Sequence, residues 1–168
     1  MPMYGRVVQR NIPITAPTQP SPAKQRALLE EKLQRKSSSR PKLLHCFKAR
    51  TDNDTKGCKP TGIAILPNDN IAIVDDINKK VKLFTKKGKL RSEICPTGEH
   101  KLIDPWDITL TKSSTLAVTD KGAKCVKEFT TNGDFVKQFG PHLKSPWGIT
   151  CNSKGQLIVT DTSEKTVF

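Results

Sequence analysis

Three aspartates close near-identical pentads: Ile71-Ala72-Ile73-Val74-Asp75, Leu116-Ala117-Val118-Thr119-Asp120 and Leu157-Ile158-Val159-Thr160-Asp161. Carboxylates can hold a metal ion or move protons, but shared catalysis needs them to converge on one centre. Here they stand 45 and 41 residues apart, one in each of three successive units, which spreads them out. The alternative is structural, with each side chain accepting hydrogen bonds from the amides of the turn that follows. Recurrence in every unit favours that role. The three histidines are His45, His100 and His142, and the last two precede Pro105 and Pro146 by five and four residues. They could share one rim and hold a metal, yet neither has a second ligand two or four residues away. Five cysteines (Cys46, Cys58, Cys95, Cys125, Cys151) include no Cys-x-x-Cys pair, so no zinc site and no cofactor is implied. The odd count, the absence of an apolar leader and the absence of a membrane-length apolar run lead us to expect a reduced, cytoplasmic chain without a membrane segment.

These residues lie on a repeat. Pro60-Thr61-Gly62-Ile63-Ala64-Ile65 matches Pro105-Trp106-Asp107-Ile108-Thr109-Leu110, and both match Pro146-Trp147-Gly148-Ile149-Thr150-Cys151. Val81-Lys82-Leu83-Phe84 matches Val126-Lys127-Glu128-Phe129, and the prolines repeat the aspartates' spacings of 45 and 41. A unit of that length with four short β-branched runs between turn residues predicts a blade of a β-propeller. Strands are expected over Gly62–Leu66 (a), Asn70–Asp75 (b), Lys80–Thr85 (c) and Lys89–Cys95 (d). Lys87-Gly88 and Asn132-Gly133 mark the c–d hairpin turns, where glycine permits positive φ. The expected fold is all-β: about 2.75 four-stranded blades (60–95, 105–139, 146–168), preceded by one d strand over Leu43–Lys48. Residues 1–42 read differently. A proline-rich stretch over 1–20 predicts disorder. Ser21-Pro22 then offers a cap and a first-turn proline for a short helix over 22–36. Residues 1–44 hold nine cations and two acids, against 20 and 14 in 45–168, so a densely basic tail precedes a moderately basic domain.

Strand alternation should bring the d–a and b–c loops to one rim. That rim would carry Arg50, Lys56, Lys59, Lys79, Lys80, Lys101, Lys121 and Lys144, offset by Asp52, Asp54, Asp76, Glu99 and Asp104. Trp106 and Trp147 hold equivalent places at the entry of strand a, where an indole can stack on a base, fill a peptide pocket or pack between blades. Thr61 stands at that place in the first unit. A net charge of +13 raises the odds of a polyanionic partner such as RNA. The cations are mostly lysine, however, and bidentate base reading prefers arginine.

The pattern resembles the NHL repeat: Pro-x-Gly-Ile opens strand a, an aspartate closes strand b, and Val-x-x-Phe fills strand c. Gly62-Ile63, Asp75, Asn78 and Val81-x-x-Phe84 carry the resemblance, with Asp120, Phe129, Gly148 and Asp161 as repeat positions. Asp107 departs from it, standing where the pattern has glycine, as does Lys121, near its usual asparagine. NHL propellers commonly end tripartite-motif proteins, whose RING supplies ubiquitin-ligase activity while the propeller binds protein or RNA. No Cys/His pairs for a RING or B-box are present here, so the resemblance implies a non-catalytic module. Its partner would be a protein, such as a substrate recruited for ubiquitination; single-stranded RNA on the basic rim is the alternative, and a metal-dependent propeller enzyme a remote third. Family propellers close with about six blades, so the expectation is an incomplete copy, or a half that pairs with another.

Overall fold

In the computed structural model, residues 21–37, 43 and 45–168 are described. The disorder expected over 1–20 lies outside them. The expected helix forms as α1, Pro22–Ser37. Ser21 Oγ accepts from the Lys24 amide at 3.4 Å, and Arg26 reaches Glu30 one turn on at 3.3 Å. This helix belongs to one compact unit and the strands to another.

The second unit contains three antiparallel sheets. The first is β1 (Pro60–Ile65), β2 (Ile71–Asp75), β3 (Lys80–Phe84) and β4 (Leu90–Ile94). The second is β5 (Pro105–Leu110), β6 (Leu116–Asp120), β7 (Cys125–Phe129) and β8 (Phe135–Phe139). The third is β9 (Pro146–Cys151), β10 (Leu157–Asp161) and β11 (Thr166–Val167). Strands pair in chain order, and corresponding registers repeat: Asp75 faces Lys80 as Asp120 faces Cys125. In the first c–d turn Gly88 has φ +78°, and the Phe47 ring lies where a side chain at that position would go.

The sheets stack through their first strands, β1 against β5 and β5 against β9. Apolar side chains fill both gaps. Val74, Val81, Ile94, Ile108, Val118 and Phe129 pack between the first two sheets; Ala117, Val126, Leu143, Ile149 and Val159 pack between the second and third. Gly62 sets the first spacing, since a Cβ there would lie 2.6 Å from Asp107 Cα and 2.9 Å from the Trp106 carbonyl oxygen. Asp107 stitches the second gap: its Oδ2 accepts from the Ile149 amide at 3.0 Å, while Thr119 Oγ1 donates to the Trp147 carbonyl at 2.7 Å.

No ladder forms over the described residues of Leu43–Lys48, where the sequence predicts a d strand. Such a strand must pair with the c strand of its own sheet, and the described residues contain none. The segment from His45 to Cys58 instead covers the outer part of the first sheet. Phe47 packs on Phe84 with centroids 5.1 Å apart, and the His45 ring donates to the Lys87 carbonyl at 2.9 Å.

Charges are buried beneath these covers. Lys82, with 0% exposure, donates to Asp54 and Asp75 at 2.6 Å each and to the Ala49 carbonyl at 3.0 Å. Asp75 also accepts from the Lys59 and Asn78 amides. In the second sheet Lys127 repeats the arrangement, donating to Asp120 at 3.0 Å, and Asp120 accepts from the Ile103, Asp104 and Ala123 amides. In the third, Phe168 stands at the lysine's place and Asp161 is held by four amides, those of Lys144, Ser145, Ser163 and Glu164. Each aspartate therefore ties its b–c turn to the loop that enters its sheet.

Burial works to raise the Asp54 pKa, but hydrogen bonds from Lys82 and the Thr51 amide outweigh it and bring the carboxyl down to about 2. Asp75 is likewise held well below the ordinary carboxylate range, against burial, by Lys82 and Asn78. Burial opposes the charge of Lys82 too, but Asp54 and Asp75 prevail and raise it.

Gly62→Ala should cost about 1–3 kcal/mol through forced separation of the sheets. Gly148→Ala should cost less, because its nearest obstacle is Thr160 Oγ1 at 3.2 Å. Urea midpoints would compare the two, and equal losses would show that the close approach at Gly62 does not set the spacing. For the buried pairs, depressed carboxylates stabilise fully above about pH 4 and lose that contribution as pH falls toward 2. The raised lysine contributes fully below about pH 10 and loses its part above that. Lys82→Met should cost about 3–5 kcal/mol, since it leaves two carboxylates facing each other in a buried site. Its stability should then rise on acidification toward pH 4, a range in which the parent chain keeps the full contribution of these carboxylates. Lys127→Met should cost less, because it leaves one buried carboxylate, Asp120, rather than two facing each other.

Candidate functional site

The d–a and b–c loops share one rim, and the two tryptophans lie there. The Trp106 and Trp147 rings sit 4.0 Å apart between centroids, inclined at 42°. Strands β5 and β9 place them at equivalent positions in neighbouring sheets, so stacking of the sheets brings them together. Lys121 Nζ lies 5.1 Å from both rings, and Lys59 Nζ lies 5.1 Å from Trp106 on the first sheet's side. Thr61, the counterpart of the tryptophans in the first sheet, has a buried hydroxyl without a hydrogen-bond partner.

Carboxylates bind most of these cations. Lys59 pairs with Asp76 at 2.6 Å, and Lys79 with Asp76 at 2.8 Å and Asp104 at 3.6 Å. Lys121 pairs with Asp104 at 3.0 Å, and Lys144 with Glu164. The result is a chain of alternating charge, Lys59–Asp76–Lys79–Asp104–Lys121, beside the indole pair. Burial works to raise the Asp76 pKa, but Lys59 and Lys79 prevail and lower it. Lys79 is raised against the effect of burial by Asp76 and Asp104. Glu164 raises Lys144.

Arg50, Lys56 and Lys101 are exposed and form no ion pair among the described residues. Lys80 is not a rim residue in the sense the sequence suggested. It is 4% exposed, clamped between Asp54 at 3.0 Å and Glu93 at 3.1 Å, because strand alternation turns it under the segment at 51–58. Asp54 belongs to that covering segment and points inward, its side chain held by Lys80 and Lys82. The remaining repeat positions, Phe84 and Phe129, are core residues.

Sequence reasoning missed the buried lysines. The available signal was a lysine seven residues after each of the first two aspartates, next to the strand-c valine.

The histidines do not converge in a ligand set. His45 lies on the c–d turn with Lys87, His100 stacks on Phe135 at 3.7 Å, and His142 lies 4.8 Å from Phe168. One group among the described residues has metal-ligand spacing: Asp54, Cys58 and Asp75, whose donor atoms lie within 4.8 Å of one another. The Lys82 ammonium already stands among them, 2.6 Å from each carboxylate and 3.5 Å from the Cys58 sulfur, so a divalent cation would have to displace it. Burial raises the pKa of the Cys58 thiol, against the nearby ammonium. All five cysteines are free, and no helix among the described residues is long and apolar enough to cross a membrane.

No family model matches the chain, and no curated protein matches it. Solved structures do. A catalytically inactive virginiamycin B lyase from Staphylococcus aureus, solved with quinupristin, is similar with a TM-score of 0.54 at 20% identity, over 70% of this chain and 45% of that one. A structure of the nidogen/laminin complex is similar with a TM-score of 0.54 at 20% identity, over 62% of this chain and 40% of that one. The chain spans less than half the length of these propellers. At such identities the likeness speaks to architecture alone: the stacked sheets from residue 60 onward are blades of a β-propeller.

Proposed function

We propose that the chain is a non-catalytic recognition module of the NHL type that binds a protein partner through the rim around Trp106 and Trp147. The observation that carries this reading is the indole pair bordered by alternating lysines and carboxylates. Paired aromatic surface flanked by both signs of charge suits the mixed composition of a protein interface, where aromatic anchors supply most of the affinity. Nucleic acid asks for something else, a groove of cations free to displace counterions. Here Lys59, Lys79 and Lys121 are already engaged by Asp76 and Asp104. The nidogen/laminin complex shows this blade architecture in a protein assembly. The virginiamycin B lyase shows it in an enzyme. Against an enzymatic role here stand the separated histidines and the lysine that fills the one ligand-spaced cluster. With the NHL resemblance, the reading extends to substrate recruitment in a ubiquitin-ligase system of the reducing cytoplasm. Single-stranded RNA is the second reading, and Arg50, Lys56 and Lys101, exposed and without an ion pair among the described residues, favour it.

The test is a comparison of proximity-labelled partners for the parent chain and a Trp106→Ala/Trp147→Ala variant, with thermal unfolding checked in both. Proteins enriched by the parent should be lost, or bind at least about tenfold more weakly, in the variant. Alongside it, single-stranded RNA binding is measured by anisotropy at low and physiological salt. Affinity that survives physiological salt and falls steeply in Lys56→Glu/Lys101→Glu, with the tryptophan variant unchanged, would replace the protein reading with the RNA one.

A further inference from the structure

The opposite rim, formed by the a–b and c–d turns, holds a cavity of about 310 Å³ between the first and second sheets. Leu66 and Leu83, buried at 8% and 6% exposure, supply its apolar surface. Arg91, Asn70, Asn132 and Ser114 stand among its polar lining, and no aspartate or glutamate lines it. None of the polar side chains lining it makes a hydrogen bond or ion pair with another described residue. Nearby turns behave differently: the Thr111 hydroxyl is spent on Thr115, and Thr130 on Asp134. The acids next to it in sequence are spent elsewhere: Asp69 is exposed and paired with Lys86 at 3.4 Å, and Glu93, two residues after Arg91, is paired with Lys80 at 3.1 Å. The cavity thus has a guanidinium without a carboxylate, surrounded by amides and hydroxyls that can all donate, beside two leucines.

We propose that this cavity binds a small organic anion, a carboxylate or phosphate ester, with its charge on Arg91 and its carbon skeleton on Leu66 and Leu83. The guanidinium fork matches either anion with two parallel hydrogen bonds. The amides and hydroxyls would complete the shell, and a volume near 300 Å³ lies at the small end of ligand sites. The site shares no residue with the tryptophan rim, so each can fail alone.

The test is a titration of the isotopically labelled full chain with citrate, glucose 6-phosphate and glucose at fixed ionic strength, followed by backbone amide shifts. Saturable shifts at Ser114 and Asn132, with a Kd near or below about 1 mM for at least one of the two anions and none for glucose, would support the proposal. Arg91→Gln should then weaken binding at least about tenfold. Trp106→Ala/Trp147→Ala should leave it unchanged. Shifts that do not saturate, that fall away from the cavity, or that persist with equal affinity in Arg91→Gln would overturn it.

Discussion

A four-stranded sheet only five or six residues deep cannot bury its own apolar side chains, so each blade depends on the one beside it. That lateral contact governs the rest of the molecule. It requires backbones to approach within van der Waals distance along the innermost strands, which explains a glycine at position 62. Where the second blade carries aspartate instead, the side chain is used across the next gap, bridging to the Ile149 amide. A departure from the repeat therefore became a hydrogen bond between blades.

The outer parts of the blades are held by a different chemistry. Lysines from the third strands reach inward to aspartates from the second, under loops that contribute carbonyls and amides. Burying such charges is costly unless each one is fully partnered, and here the partners come from segments distant in sequence. The arrangement therefore couples loop placement to strand placement: moving the segment at 45–58 strands Lys82, and losing Lys82 removes one of the segment's anchors. The third blade, with Phe168 at the lysine's place, uses neutral amide donors alone.

Much of the architecture was legible because three markers advance in step along the chain, and strand boundaries fell within two residues of those expected. The first strands begin earlier than expected, at the proline, since Pro60 and Pro105 pair with the aspartates across the ladder. The strand expected at Leu43–Lys48 failed because a hydrophobic texture cannot reveal whether a pairing partner exists. The rim was harder to read. Lysine is usually a surface residue, so composition placed Lys80 in solvent; only its position on the same strand face as Lys82 and Phe84 shows that it turns under the cover. The ion pairs that occupy Lys59, Lys79 and Lys121 join residues up to 25 positions apart, and no local pattern encodes them.

Trp106 and Trp147 are the only two tryptophans in the chain, and they touch. Its indole emission therefore comes from a single spot at the junction of the second and third blades, with ammonium groups close enough to shift its colour. Light from that spot will register any molecule that settles there and any parting of those two blades. It will stay dark to loosening at the far side of the first.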